Sequence, residues 1–256
     1  MTSSELRPQR TAGLSANTAR TRKRSEIIAR DIVRYIIEQQ LPEGAVLPNE
    51  RDMVGTFGVG RVTLREGIRL LETRGVLTLR PGPRGGPIVR RPRPEDFGEA
   101  LVFILQFSDA SFADVMEARQ ALEPLIARNA ASRITTEQLA ALKETVTAIL
   151  DDLENEEVFH QKNWEFHQII GEASGNVVLS SFIAALRSIG DGRAIGIQYS
   201  PVHRKAVALA HQRIVEALER HNPGAAQQEM ESHLAEAANY WRRKYPHFLA
   251  NAVRWV

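Results

Sequence analysis

The sequence predicts a mainly α chain in two parts: a small N-terminal unit of three helices closed by a β-hairpin, then an all-α helical bundle. Three observations carry this. Residues 24–91 hold apolar stripes of helical period and then two short period-2 runs around a Pro/Gly-rich turn. Residues 97–243 show repeated helical stripes and few strand signals. Charge divides along the same line: residues 1–94 carry 18 Lys/Arg against 9 Asp/Glu, a net of +9, which leaves 15 against 22, or −7, for the rest.

Residues 1–23, rich in Arg, Ser and Thr without periodicity, read as a disordered basic tail. Ile28, Ile32, Tyr35 and Ile36 mark a first amphipathic helix, and the stretch Leu41 to Leu47, with Pro42 and Gly44, breaks it. Asn49 is a suitable N-cap for a second helix with Met53 and Phe57 inward and Gly58 just past its end. In the third helix Leu64, Ile68 and Leu71 share the inward face. Arg61 and Arg65, four apart, then share the outward face, where two forked cations suit phosphates or guanine edges. Val76 to Arg80 reads as a strand, Pro81 to Gly86 as a turn and Pro87 to Arg90 as the return, with Arg80 and Arg84 near the tip. Glycines there let the backbone approach a phosphate or the minor groove. These elements make a winged helix-turn-helix over residues 24–91, with double-stranded DNA as the expected partner, and its local positive excess is what counterion release requires.

Residues 92–96 read as a Pro/Arg linker to a helical domain over 97–243, followed by a C-terminal extension, 244–256. Helices are expected near 95–107, 157–172, 176–190, 203–221 and 224–243. Val115, Ala118, Leu122 and Leu125 mark one more helix, and Leu139, Leu142, Val146, Ile149 and Leu153 another. Asn163 and His167 share a helix face, His211 shares one with Val207, Ile214 and Leu218, and His233 lies near Met230 and Ala237. All three imidazoles are therefore expected inward, where bundle metal sites are built. His160 is read as exposed, though it could join the ligands; His203, His221 and His247 are read as surface residues. A scaffold whose histidines only fill the core stays open. So does a metal-dependent enzyme, against which stands the lack of a general base paired with these histidines. No run of 18 apolar residues and no apolar leader is present, so no membrane contact and a cytoplasmic location are expected. Zero cysteines exclude disulfides and thiolate metal sites.

The run Gly44-Ala45-Val46-Leu47-Pro48-Asn49-Glu50-Arg51-Asp52-Met53, with Gly58-Val59-Gly60-Arg61-Val62-Thr63-Leu64-Arg65-Glu66-Gly67-Ile68, resembles the winged-helix signature of the GntR family of bacterial transcription regulators. The resemblance implies a phosphate contact for Arg51, groove reading for Arg61 and Arg65, a supporting contact for Thr63 and a wing-tip role for Gly82. Three departures stand out. Asn49 replaces Ser or Thr and caps equally well. Gly60 lacks a hydroxyl that could meet a phosphate, and Gly67 stands for Ala inside the recognition helix, at about 1 kcal/mol if exposed. Altered operator affinity is expected from these departures.

Glu117-Ala118-Arg119-Gln120-Ala121-Leu122-Glu123-Pro124, then Asn163-Trp164-Glu165-Phe166-His167 with Ala173-Ser174-Gly175-Asn176, then His211 and His233, resemble the FCD ligand-binding domain of the FadR-type subfamily. That resemblance implies a divalent metal at Asn163, His167, His211 and His233, and a small carboxylate effector held by Arg119. It also implies a repressor released by that effector. Asn163 stands where metal-binding members carry Asp, so a bound ion would keep its +2 charge and favour an anionic effector; imidazole ligands favour Zn or Ni over Mg. A homodimer is expected, since two-fold operators match two-fold proteins.

Overall fold

The computed structural model of the protein describes residues 12–82, 85–190 and 198–249. The chain divides into two compact units between Arg93 and Pro94, each with its own core.

The first unit runs α1 (Ala12–Glu38), α2 (Glu50–Phe57), α3 (Arg61–Thr73), β1 (Leu77–Arg80) and β2 (Gly86–Val89). Ile28, Ile32, Met53, Leu64, Ile68, Leu71, Leu77 and Val89 form its buried core. Tyr35 meets Phe57 edge to face, with ring centroids 6.2 Å apart, tying α1 to α2. The strands pair antiparallel from Leu77 opposite Val89 to Arg80 opposite Gly86. The stretch expected only to break α1 also pairs with this hairpin. Gly44 N–H donates to Val89 O (2.8 Å), Val89 N–H to Ala45 O (2.8 Å) and Leu47 N–H to Pro87 O (2.9 Å). The base of the wing is thereby fastened to the chain leading into α2.

Two expectations change here. The irregular tail expected over 1–23 meets a helix that starts at Ala12, while residues 1–11 lie outside the described residues. Ala, Leu and Arg favour helix and nothing after Gly13 breaks it; a missing apolar stripe removes a packing face, not helicity. Gly67 is buried, and a Cβ there would lie 3.1 Å from Ile28 Cγ2 and 3.3 Å from Ser25 O. The glycine thus lets α1 pack close against α3, so Ala at this position would crowd Ile28 and offset its propensity gain. Arg84, expected near the wing tip, lies outside the described residues.

The second unit is all helical: α4 (Pro94–Phe107), α5 (Phe112–Ala131), α6 (Thr136–Asp151), α7 (Glu156–Ala173), α8 (Val177–Gly190), α9 (Pro201–Glu219), α10 (Pro223–Lys244) and α11 (Pro246–Leu249). Local chemistry sets the starts. Ser111 and Thr135 close capping boxes on α5 and α6, and Asn155, Ser200 and Asn222 cap α7, α9 and α10, the last two ahead of a proline. Helix α4 begins at Pro94, inside the expected 92–96 linker, because proline is well placed in a first helical turn. Leu153 lies past the end of α6. Phe166, Ile170, Leu142, Ile126, Ile214, Leu218 and Leu234 are central in the core. Among the described residues, no helix is long and apolar enough to cross a membrane.

The buried face of α5 differs from the expected one. Leu125 is exposed, whereas Val115, Met116, Arg119, Glu123, Ile126 and Ala130 are buried. The true stripe contains two charged residues, which an apolar count skips.

Candidate functional site

Helix α3 is presented by its own anchors. Leu64, Ile68 and Leu71 are buried, so Arg61 and Arg65 on the opposite face are exposed, and Arg51 on α2 and Arg80 on β1 are exposed too. Thr63 is half-buried. Asn49 caps α2 by accepting from Asp52 N–H (3.1 Å), and Gly58 ends it in the left-handed region at φ 62°. Gly60, the N-cap of α3, supplies no side-chain bond. Gly82 sits on the wing at φ 108° with open space where a Cβ would stand, so its role is conformational. Gly85 has a different reason: a Cβ there would lie 2.0 Å from Arg80 O, so only glycine closes this hairpin.

Helix α3 and the wing border a cleft of about 640 Å³ lined in part by Asn49, Glu50, Arg65, Arg69, Arg80 and Gly82. Arg51, Arg61 and Arg80 make no ion pair among the described residues, and their guanidiniums are free for phosphate or base contacts. Arg65 differs, since Glu50 holds it along one edge, through Nε and Nη2. Sequence reasoning treated Arg61 and Arg65 as equivalent and gave Glu50 no part.

In the second unit α7, α9 and α10 bring His167, His211 and His233 together, with one ring nitrogen from each within 4.8 Å of the others. All three are buried. The Nε2 atoms of His211 and His233 are 3.3 Å apart. Ligands at Zn–N distances of about 2.0–2.1 Å around a tetrahedral ion stand roughly that far from each other. Phe166 stacks on His211 (3.7 Å, 6°) and fixes its plane. Asn163, one turn before His167 on α7, is half-buried and makes no hydrogen bond among the described residues. The three imidazoles fit a divalent ion of the imidazole-preferring kind.

Glu123 is the residue that sequence reasoning missed. Buried on α5, its Oε2 is 2.5 Å from His167 Nδ1 and its Oε1 is 2.5 Å from Arg119 Nε. Arg119 is buried as well, and its guanidinium carbon lies 5.0 Å from the centre of the Trp164 ring. A carboxylate against Nδ1 leaves Nε2 as the nitrogen His167 can offer to an ion, the arrangement by which a metal-binding imidazole is oriented. Arg119, expected to hold an effector's acid, is therefore already matched by a carboxylate of its own chain and keeps only its remaining N–H groups for a ligand. A signal was available: Arg119 and Glu123 are four apart and so must share a face of α5.

Burial works against charge on Glu123, but the Arg119 guanidinium and His167 overcome it and hold its carboxyl well below the usual range. For His211 and His233, burial and then the neighbouring imidazoles push the pKa well down, which keeps both rings neutral and available as ligands. In the unfolded chain these histidines take up protons near 6.5, while the folded protein resists. Stability is therefore fully present above about 6.5 and falls as pH is lowered. A melting temperature measured in EDTA is expected to hold near pH 7.5 and to drop as the pH is lowered through about 6.5 to 5; a flat profile would mean that His211 and His233 are not buried and neutral.

Other histidines depart from expectation. His160 is buried, not exposed, packed near Phe159 and Tyr199 with Nε2 3.5 Å from Glu156, and it stands apart from the three-histidine group. His203, read as a surface residue, is half-buried because Tyr240 stacks on it (3.5 Å, 11°); burial and then Lys244 lower its pKa to about 4. His221 and His247 are exposed.

Comparison with known proteins agrees with both units. Residues 24–84 match the family described as bacterial regulatory proteins, gntR family, and residues 114–236 match the FCD domain. The HTH-type transcriptional repressor NanR of Escherichia coli K12 is 27% identical over 225 residues, 86% of this chain and 85% of that protein, and NanR of Shigella flexneri matches equally. A solved structure, Streptococcus agalactiae GntR, covers 84% of this chain and 99% of its own at 29% identity, with a TM-score of 0.71. With a winged helix-turn-helix ahead of an FCD domain, the chain belongs to the GntR family of bacterial regulators, in its FadR-type form.

Proposed function

We propose that the protein is a transcription repressor that binds a two-fold operator as a homodimer and is released by a small carboxylate bound in its helical unit. The observation that carries this reading is the set of exposed arginines, Arg51 on α2, Arg61 on α3 and Arg80 on β1, with α3 held to the core behind it by Leu64, Ile68 and Leu71. Arg61 and Arg65 read base edges, Arg51 and Arg80 hold phosphates, Thr63 supports them, and Gly82 lets the wing approach the duplex. The name of the NanR relatives, transcriptional repressor, supports the sign of regulation.

His167, His211 and His233, with Asn163 alongside, would hold a divalent ion, Zn or Ni, whose charge supplies the attraction for an acid. Glu123 orients His167, and the remaining N–H groups of Arg119 would be left to meet the same acid. Coupling to DNA follows if the acid prefers one arrangement of the dimer over the other. The test is duplex selection from random oligonucleotides at moderate salt, followed by release measurements with a panel of small carboxylates, with Zn and with EDTA. Selected duplexes should bind about 10³-fold or more tighter than random competitor. One acid should release them in Zn and lose that effect in EDTA. No preference for any duplex would overturn the DNA reading, and release indifferent to EDTA would overturn the metal.

A further inference from the structure

A carboxylate stands in the middle of a surface otherwise made for anions. Glu50, at the start of α2, lies on the cleft between α3 and the wing together with Arg65, Arg69 and Arg80. Alone it would repel a phosphate backbone. It is not alone: Arg65 Nε donates to Oε1 (3.0 Å) and Oε2 (2.9 Å), and Arg65 Nη2 lies 2.9 Å from Oε2. The two residues are fifteen apart in sequence and come from different helices, so the pair exists only through the angle between α2 and α3.

Stability is a poor reason for this pair. Its side chains are 60% and 40% exposed, and pairs so exposed add little to folding. Geometry gives a better one. A guanidinium has two usable edges, one made of Nε and Nη2 and an end edge made of Nη1 and Nη2. Glu50 occupies the first. The end edge keeps two parallel N–H groups, the arrangement that meets guanine O6 and N7. The carboxylate also cancels the charge of Arg65, which removes its general attraction for phosphates, and holds a flexible side chain in one orientation before DNA arrives. Arg51 and Arg61 have no such holder among the described residues.

We infer that Glu50 is a positioning residue that sets Arg65 as a guanine reader and withholds it from phosphates. The inference rests on the DNA-reading assignment and sharpens it: Arg61 and Arg65 do different work, the first adaptable and the second preset. A role in folding alone would leave base preference untouched.

The experiment is duplex selection with the full-length parent, Glu50→Gln, Glu50→Asp and Arg65→Ala, each checked for an unchanged melting temperature, followed by salt titrations on the selected and on random duplexes. Arg65→Ala should lose one base position. Glu50→Gln should degrade that same position about tenfold or more, while its affinity for random DNA rises and its log–log salt slope steepens by about one phosphate contact. Glu50→Asp, which keeps the charge but shortens the arm, should restore the random-DNA affinity while recovering base preference only in part. A Glu50→Gln variant with parental preference at every position, or with all positions weakened alike, would overturn the inference. A parent that selects no duplex would bring down the DNA-reading assignment itself, an outcome distinguishable from the first.

Discussion

Replacing Glu123 by leucine is expected to destabilise the protein by about 3–5 kcal/mol, the scale for removing one partner of a buried ion pair. The cost comes from what stays behind. Arg119 is 5% exposed and, among the described acidic residues, its Nε pairs with Glu123 alone, and His167 Nδ1 faces the same carboxylate. Without Glu123 a guanidinium remains in the helical core with no counter-charge. For a protein of this size the melting temperature should fall by roughly 2–4 °C per kcal/mol, hence by about 10 °C. The double variant Arg119→Leu/Glu123→Leu should recover a large part of this loss, because both buried charges are then gone and the site can pack apolar side chains. Thermal melts of the two single variants and the double form the cycle. An additive cycle would mean that the pair is not coupled as its geometry requires.

Arg61→Ala is expected to lose about 1–3 kcal/mol of operator binding and to relax preference at one base position, with folding unchanged. Its guanidinium is exposed and pairs with nothing among the described residues, so truncation removes no structural contact. Arg51→Ala should behave differently if it holds a phosphate, weakening selected and random duplexes alike and lowering the salt slope by about one. Titrating both variants against selected and random duplexes at two salt concentrations separates the roles. Equal loss on both duplexes for Arg61→Ala would move this residue to the phosphate group.

The two expected results draw on different kinds of information. The exposure of Arg61 could be read from the sequence because it stands opposite Leu64, Ile68 and Leu71 on one helix, and helical period is a local property. Glu123 could not. Its spacing from Arg119 was visible, but whether two charges on a helix face solvent or core depends on what the neighbouring helix presents, and here α7 presents His167. The same blindness displaced the expected face of α5 toward Leu122 and Leu125, since a hydropathy count treats buried charges as surface. His160 and His203 went to the surface for a similar reason: aromatic neighbours from other segments cover them.

By itself, the sequence determined the order of the long helices, the Asn49 cap, the two strands of the wing, the inward set of His167, His211 and His233 and the outward arginines. Each of these follows from periodicity, capping or turn chemistry within a few residues. Only the tertiary structure decided that Gly67 is a close-packing site, that Glu50 holds Arg65 and that Glu123 joins Arg119 to His167. Those facts depend on distances between elements far apart in the chain. A charge or a glycine has the same local signature whether it meets water or another helix, and its energy is set by whichever it meets.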